Sequence, residues 1–104
     1  MSKYKNKKVT IDGIIFDSQK EGRRYEELKV LERAKVISGL ELQPVFKCEV
    51  NGKHICRYIG DFRYVEAGGI VVEDVKSAYT RKLPVYRLKK KLVAALHGVI
   101  ISEV

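Results

Sequence analysis

The feature that most constrains the fold is a pair of β-strand patterns separated by the turn-prone residues 66–69 (Glu-Ala-Gly-Gly). Both patterns are rich in β-branched and aromatic residues, so they predict a hairpin. If residues 66–69 form the loop, Val65 pairs with Ile70. That register sets Asp61 directly across from Asp74, with Cβ atoms about 4.5–5.5 Å apart. Like charges so placed destabilise a sheet, so the pair needs a compensating partner.

Lys76 adds a cation to the same surface. Because side chains alternate along a strand, Lys76 shares the face of Asp74, whereas Glu73 points to the other face and is expected to meet solvent. A register slip of one residue would bring Glu73 to the position of Asp74, and this alternative stays open. A divalent cation would turn the repulsion between Asp61 and Asp74 into attraction.

Length and composition predict a single domain over residues 1–104. No apolar run approaches the roughly 18 residues of a membrane span, and the first residues lack the apolar core of a signal peptide. We therefore expect no membrane partner and a cytoplasmic location. A hairpin turning at Asn51-Gly52 would place Cys48 opposite Ile55 and Cys56 on the other face, so no disulfide is expected.

The formal net charge of +8 is concentrated in two segments. Residues 76–91 hold seven Lys and Arg and no acid, and the N-terminus adds Lys3, Lys5, Lys7 and Lys8. Such uneven charge predicts a polyanionic partner, nucleic acid before others, although a solubilising lysine face is the alternative. The residues expected to meet DNA are Lys7, Lys8, Gln43, Tyr79, Arg81, Lys82, Arg87 and Lys90.

A ribbon and a helix are predicted before the hairpin. Apolar runs at 9–11 and 14–16 flank Asp12-Gly13, a strong two-residue signal for a tight turn. Asp17 or Ser18 can then cap a helix that runs to about Lys35. Its apolar stripe consists of Tyr25, Leu28, Leu31 and Val36.

Glu21 lies on the apolar side of this helix. At 100° per residue it is about 40° from Tyr25 and about 20° from Leu28, so its carboxylate borders the core. Ser18 and Glu21 also match a capping box, and Glu21 could simply serve the start of the helix. One side chain can combine both roles.

The later elements predict an α/β fold. Three antiparallel strands are expected as a meander at residues 45–50, 53–65 and 70–76. A second helix follows from Pro84 to Gly98, and a short strand at 99–101 would lie parallel to residues 70–76. The side of this helix expected to pack inward carries Val85, Leu88, Leu92, Ala95 and Leu96.

Three acids and a lysine in this order fit metal-dependent phosphodiester hydrolysis. Hard oxygen ligands suit Mg²⁺ or Mn²⁺, and we expect them from Glu21, Asp61, Asp74 and the carbonyl of Val75. The metal would activate a water nucleophile and neutralise charge on the scissile phosphate. Lys76 would orient that water or stabilise the developing negative charge.

The motifs that carry these residues resemble the small phage-encoded members of the PD-(D/E)xK nuclease superfamily, which includes phage junction-resolving endonucleases and the transposon end-cleaving nuclease subunit. Gly60 stands where the motif has proline, and Asp74 where glutamate is commoner. The resemblance implies a restriction-endonuclease-like core, metal-binding acids at Glu21, Asp61 and Asp74, and a catalytic Lys76. The matching segments are residues 16–25, 42–44, 61–64, 73–76 and 86–91.

The leading hypothesis is therefore a phage metal-dependent DNA endonuclease that acts on branched or nicked DNA in replication, recombination or packaging, in the cytoplasm of the host cell. Two equivalent cuts in a branched substrate would require two active sites, which predicts a homodimer. One rival is a non-catalytic nucleic-acid-binding module whose acids and lysine form a structural network. Another is a protein-interaction domain that binds an acidic partner.

Overall fold

The computed structural model describes residues 7–104, and Lys3 and Lys5 of the N-terminal basic run lie outside the described residues. Residues 7–104 have the predicted α/β composition, and among them are two α-helices and both antiparallel and mixed sheets. Neither described helix is long and apolar enough to cross a membrane. The elements are β1 (Val9–Ile11), β2 (Ile14–Phe16), α1 (Gln19–Arg33), β3 (Ile37–Leu42), β4 (Val45–Val50), β5 (Lys53–Ile59), β6 (Phe62–Glu66), β7 (Gly69–Asp74), α2 (Pro84–His97) and β8 (Ile101–Glu103), with a 3₁₀ turn at Thr80–Lys82.

The central sheet has the strand order β3-β6-β7-β8, and two hairpins, β1-β2 and β4-β5, stand apart from it. β3, β6 and β7 are antiparallel neighbours, and β8 lies parallel to β7 as predicted. The central elements therefore follow in the order α1, β3, β6, β7, α2, β8. The β4-β5 hairpin is inserted between β3 and β6.

The predicted strand over residues 53–65 is wrong, because Gly60 and Asp61 divide it into β5 and β6. At this point the Gly60 N–H donates to the Pro44 carbonyl at 2.9 Å, and the Asp61 N–H donates to the Glu73 carbonyl at 3.0 Å. A Cβ atom at Gly60 would lie 3.3 Å from Val72 Cγ1 and 3.4 Å from Pro44 Cγ. The close approach of the Val72 and Pro44 side chains thus explains a residue without a side chain where the two sheets part.

A further strand, β3, was not predicted, because Ser38 and Gly39 indicated a break in the chain. In the structure the register with β6 shifts between Ser38 and Glu41, and Gly39 occupies the left-handed region with φ 63°. Glycine adopts this conformation without steric cost, so it accommodates a bulge and the strand continues. β3, rather than β4, is therefore the first strand of the antiparallel sheet.

The predicted hairpin register is confirmed. Val65 pairs with Ile70, and the ladder ends with Phe62 opposite Glu73. The loop is shorter than predicted, because only Ala67 and Gly68 form it, both with positive φ, as in the two-residue turns that suit the twist of a hairpin. The third strand is also shorter, since β7 ends at Asp74 rather than at residue 76.

Both faces of the sheet are covered. One core cluster contains Tyr25 and Leu28 of α1 with Phe62 and Tyr64 of β6, and the ribbon β1-β2 packs on the same helix. A second cluster joins Val93 of α2 to residues of β5, β7 and β8. Because neighbours alternate, Val71 packs on the first cluster and Val72 lies in the second. β7 is therefore covered by the α1 cluster on one face of the sheet and by the cluster that contains Val93 of α2 on the other. Glu73 and Asp74, at the end of β7, face these two different surroundings.

The helices depart from the prediction near their ends. α1 ends at Arg33 rather than Lys35, because Lys35 takes a positive φ of 64°, and Val36 beyond it is exposed. α2 ends at His97 before Gly98 as expected, but Tyr86 and Val93 are its buried residues. The predicted inward stripe is therefore wrong: Leu92 is partly buried, whereas Val85, Leu88, Ala95 and Leu96 are exposed. β8 begins two residues later than predicted, at Ile101.

The cysteine placement is also corrected. Val50 pairs with Lys53 as predicted, but a register shift between Cys48 and Glu49 sets Cys48 opposite Cys56 instead of Ile55. Both thiols therefore lie on one face, and both are free.

Candidate active site between β6 and β7

Asp61 is the most firmly held of the predicted site residues. Its carbonyl accepts from the Gln43 N–H, and its N–H donates to the Glu73 carbonyl, each at 3.0 Å. Its carboxylate oxygen Oδ2 accepts from the Val75 N–H at 2.7 Å. Asp61 thus ties the start of β6 to the end of β7 and to the β3–β4 turn. Gln43, predicted to touch DNA, contributes its backbone N–H here, and its side chain is exposed.

Glu21 of α1 reaches this carboxylate. The two carboxyl groups interact, and burial together with the charges of Asp61 and Asp17 raises the pKa of Glu21 to about 7. Burial also raises the pKa of Asp61, against the opposing effects of the Val75 N–H and Lys76. Ser18 Oγ accepts from the Glu21 N–H at 3.1 Å, so the capping interaction of the backbone is present as well. Glu21 therefore combines a place in the first helical turn with contact to Asp61.

Asp74 lies at the end of β7 on the α2 side of the sheet. It is 3% exposed and accepts a hydrogen bond from the Tyr58 hydroxyl. The Lys76 ammonium is 3.4 Å from Asp74 Oδ1 and 4.5 Å from the centre of the Tyr86 ring. Burial raises the pKa of Asp74, and Lys76 opposes that rise. Asp74 and Lys76 form an ion pair, so their side chains share one surface, as alternation along the predicted strand indicated.

The predicted direct pairing of Asp61 with Asp74 is corrected by these contacts. The hydrogen-bonded ladder ends one position earlier, and the Asp61 carboxylate turns towards Glu21 and the Val75 N–H. The charge of Lys76 acts on both acids, since it opposes the rise that burial causes in the pKa of each. Within residues 7–104, no group of three or more His, Cys, Asp or Glu side chains converges closely enough to hold a metal ion. The structure thus assembles a Glu21–Asp61 pair and an Asp74–Lys76 pair side by side.

Glu73 does not face solvent, and that prediction is wrong. It is 2% exposed and forms a two-pronged ion pair with Arg24 of α1, with Nε–Oε1 at 2.8 Å and Nη2–Oε2 at 2.6 Å. The Tyr64 hydroxyl donates to the same carboxylate. With its oxygens so occupied, Glu73 serves the packing of α1 on the sheet and is not available as a substitute for Asp74.

The predicted DNA-contacting residues of the second basic segment divide into two groups. Glu103 of β8 lies 3.2 Å from Lys90 Nζ and 3.9 Å from Arg81 Nε, so both cations have a carboxylate partner within the chain. Lys82 and Arg87 are exposed. Tyr79 is also exposed. At the other end, Lys8 is exposed and Lys7 lines a cavity at the start of α1.

Sequence reasoning missed several residues around these acids. Tyr58 and Arg24 were overlooked because only the three-dimensional placement of β5 and α1 shows which acid each one meets. Lys20 and Arg23 flank Glu21 in the first turn of α1, and Lys20 Nζ donates to the Lys76 carbonyl at 3.0 Å. The signal for these two was available, because both cations lie within two residues of a predicted site acid.

Comparison with known proteins identifies the family but no relative of known activity. No curated protein and no solved structure matches the chain. One family model, described as a protein of unknown function (DUF1064), matches residues 1–99. That match covers nearly the whole chain, including all the residues of the candidate site, so the protein belongs to the DUF1064 family.

Proposed function

We propose that this protein is a metal-dependent endodeoxyribonuclease with a restriction-endonuclease-like core of the PD-(D/E)xK kind. The observation that carries the proposal is the convergence of Glu21 and Asp61 beside the Asp74–Lys76 pair, at the point where β6 and β7 diverge. Two carboxyl groups in contact repel each other once ionised, and such a pair raises the pKa of one member. A divalent cation would relieve the repulsion.

The donor chemistry fits Mg²⁺ or Mn²⁺. Mg²⁺ is commonly bound through one or two carboxylates together with waters and substrate phosphates, not by a closed protein cage. Glu21 and Asp61 would be those carboxylates. Asp74, another predicted ligand, is held by Tyr58 and Lys76 on the α2 side of β7, and the Val75 carbonyl is the remaining predicted ligand. When bound, the ion would supply an activated water and neutralise charge on the scissile phosphate.

Lys76 would stabilise charge that develops on the phosphate. Its side chain is 22% exposed, and its ammonium is positioned by Asp74 and by the Tyr86 ring. A cation fixed in a partly water-excluded position stabilises a developing oxyanion without needing to reorganise. Tyr58 and Lys76 hold Asp74 in one orientation, so this acid and the lysine would act as a unit.

The order of the central elements also favours the proposal. The helix, three antiparallel strands, helix and parallel strand implied by the resemblance correspond to α1, β3, β6, β7, α2 and β8. The motif residues fall at the start of β6 and the end of β7, on neighbouring strands. A cleaved DNA substrate would also agree with the net charge of +8.

The experiment that tests the proposal is cleavage of linear, nicked and four-way-branched DNA, with and without Mg²⁺ or Mn²⁺. Asp61→Asn should abolish metal-dependent cutting and leave DNA binding intact, because it removes one negative charge near the phosphate and keeps the side-chain shape. Glu66→Gln, at the exposed loop end of the same hairpin, is the matched control and should cut like the wild type.

Two other outcomes would redirect the assignment. Equal cutting by wild type and Asp61→Asn would refute the proposed site. Tight, salt-sensitive binding without cutting under any metal condition would favour the non-catalytic nucleic-acid-binding module. If branched DNA is the preferred substrate, paired cuts should accompany a homodimer, which sedimentation of the DNA-bound protein would detect.

A further inference from the structure

A cavity of about 370 Å³ opens at the start of α1 and borders the candidate active site. Three cationic side chains line it: Lys7, Lys20 and Arg23. No acidic side chain contributes to the wall, and within residues 7–104 none of the three cations lies within 4.0 Å of a carboxylate. Positive charge gathered around a concavity and left uncompensated by the protein favours an anionic ligand.

Hydrogen-bonding groups complete the wall. Ser77 and Thr80 hold each other in place, with the Ser77 N–H donating to Thr80 Oγ1 at 2.8 Å and the Thr80 N–H donating to Ser77 Oγ at 3.0 Å. Ser18 contributes from the start of α1, where the helix dipole also favours negative charge. Cations with hydroxyl groups on a fixed backbone are the donors that phosphate oxygens accept from.

The cavity shares its wall with the acid pair. Val75 lines it, and the Val75 N–H is the donor to Asp61 Oδ2. Lys20 also connects the cavity to the segment that follows β7, since its ammonium donates to the Lys76 carbonyl. A group bound in the cavity would therefore lie directly beside Glu21 and Asp61.

The basic surface of α2 differs in this respect. The cavity lined by Arg81, Arg87, Lys90 and Lys91 also includes Glu103, which is near Arg81 and Lys90. That carboxylate serves two of the four cations, whereas Arg87 and Lys91 have no carboxylate within 4.0 Å among residues 7–104. The cavity at the start of α1 differs in having no acidic side chain in its wall and in adjoining the acid pair through Val75.

We propose that the cavity at the start of α1 binds one phosphate group of the DNA, next to the phosphodiester held at Glu21 and Asp61. The inference rests on the proposed function in taking DNA as the ligand. Lys20 and Arg23 supply the charge, and the Ser77 hydroxyl supplies a neutral donor, since the Thr80 hydroxyl donates to the Ser77 carbonyl at 3.3 Å. The phosphate is either an internal one of the continuous strand or a terminal 5′-phosphate at a nick, since both present the same oxygens.

The test measures binding of fluorescent DNA without divalent metal, so it does not depend on cleavage. The substrates are an intact duplex, a duplex nicked with a 5′-phosphate and a duplex nicked with a 5′-hydroxyl. Lys20→Gln/Arg23→Gln is compared with Arg87→Gln/Lys91→Gln, which removes the same charge from exposed positions on α2. All four side chains are exposed, and thermal unfolding of each variant verifies that it is folded.

We expect Lys20→Gln/Arg23→Gln to weaken binding about tenfold and to reduce the slope of log affinity against log salt by about one, as for one lost phosphate contact. The α2 variant should change affinity by less than about threefold. A loss on all three duplexes identifies an internal phosphate, and a loss confined to the 5′-phosphorylated nick identifies a terminal one. Either result supports the site.

Equal losses in both variants, or a larger loss in the α2 variant, would overturn the inference. So would failure of the wild type to bind any of the three duplexes. This result can be told apart from a failure of the proposed function. If the Lys20/Arg23 variant loses binding selectively but the wild type never cuts DNA, the phosphate site is supported and the nuclease proposal is rejected.

Discussion

The contact between Glu21 and Asp61 predicts a stability that depends on pH in an unusual direction. Most carboxyl groups in folded proteins have lowered pKa values, whereas Glu21 is raised from 4.5 to about 7. Its protonated form is therefore favoured by folding. This contribution is fully present below about pH 4.5, is lost as the pH rises, and is gone above about pH 7.

The magnitude follows from the two pKa values. The full shift would correspond to roughly 2.5 kcal/mol of unfolding free energy lost between pH 5 and pH 8. Glu21 is only partly buried, so solvent screening reduces this, and we expect about 1 kcal/mol. Glu21→Gln keeps a group that can donate to Asp61 but cannot ionise. On going from pH 5 to pH 8, the free energy of unfolding should fall by about 1 kcal/mol more in the wild type than in this variant.

The assay is urea unfolding of wild type, Glu21→Gln and the exposed control Glu26→Gln at both pH values. The comparison across pH removes any effect of the substitution that is the same at both pH values, such as a change in packing. A pH-dependence that is the same in wild type and Glu21→Gln would refute the assignment of the raised pKa. Adding Mg²⁺ at pH 8 should stabilise the wild type more than the variant, because ligand binding to the folded state alone adds stability.

Two further predictions concern groups away from the acid pair. Arg24→Met should lower the free energy of unfolding by about 3–5 kcal/mol in urea titrations, because it leaves Glu73 buried without its cation; an effect no larger than that of Arg23→Met would contradict this. A water-soluble alkylating reagent should modify Cys56 before Cys48, because Cys48 is fully buried and burial raises the pKa of its thiol. Peptide mass mapping that finds Cys48 modified first would refute this order.

Local signals determined what the sequence predicted well. Asp12-Gly13 and Asn51-Gly52 form the expected two-residue turns, because positive φ at both positions suits these residues. The register of β6 with β7 depends only on the residues around their turn, so it too was predicted. The parallel placement of β8 followed from the intervening helix.

Errors arose where non-local packing decides the outcome. Gly60 lies between β5 and β6, which belong to different sheets. Only the close approach of Pro44 and Val72 to this glycine reveals the division. Glu73 was predicted to face solvent because alternation along the strand places its side chain on the other face of the sheet from Asp74. The sheet is covered on both faces, so the opposite face meets α1 instead. Alternation gives the face of a side chain, but not what covers that face.

The contact between Arg24 and Glu73, at the end of β7, illustrates how a structural ion pair can position a candidate catalytic residue, Glu21. Glu73 is bound by Arg24, and Arg24 lies one helical turn after Glu21 on α1. Residues three apart share a helix face, so anchoring Arg24 to β7 fixes the height and rotation at which Glu21 approaches Asp61. Asp61 is itself tied to β7 through the Glu73 carbonyl and the Val75 N–H. Both partners of the acid pair are thus positioned relative to Glu73, and a loosened Arg24–Glu73 contact should disturb Glu21 before it disturbs Asp61.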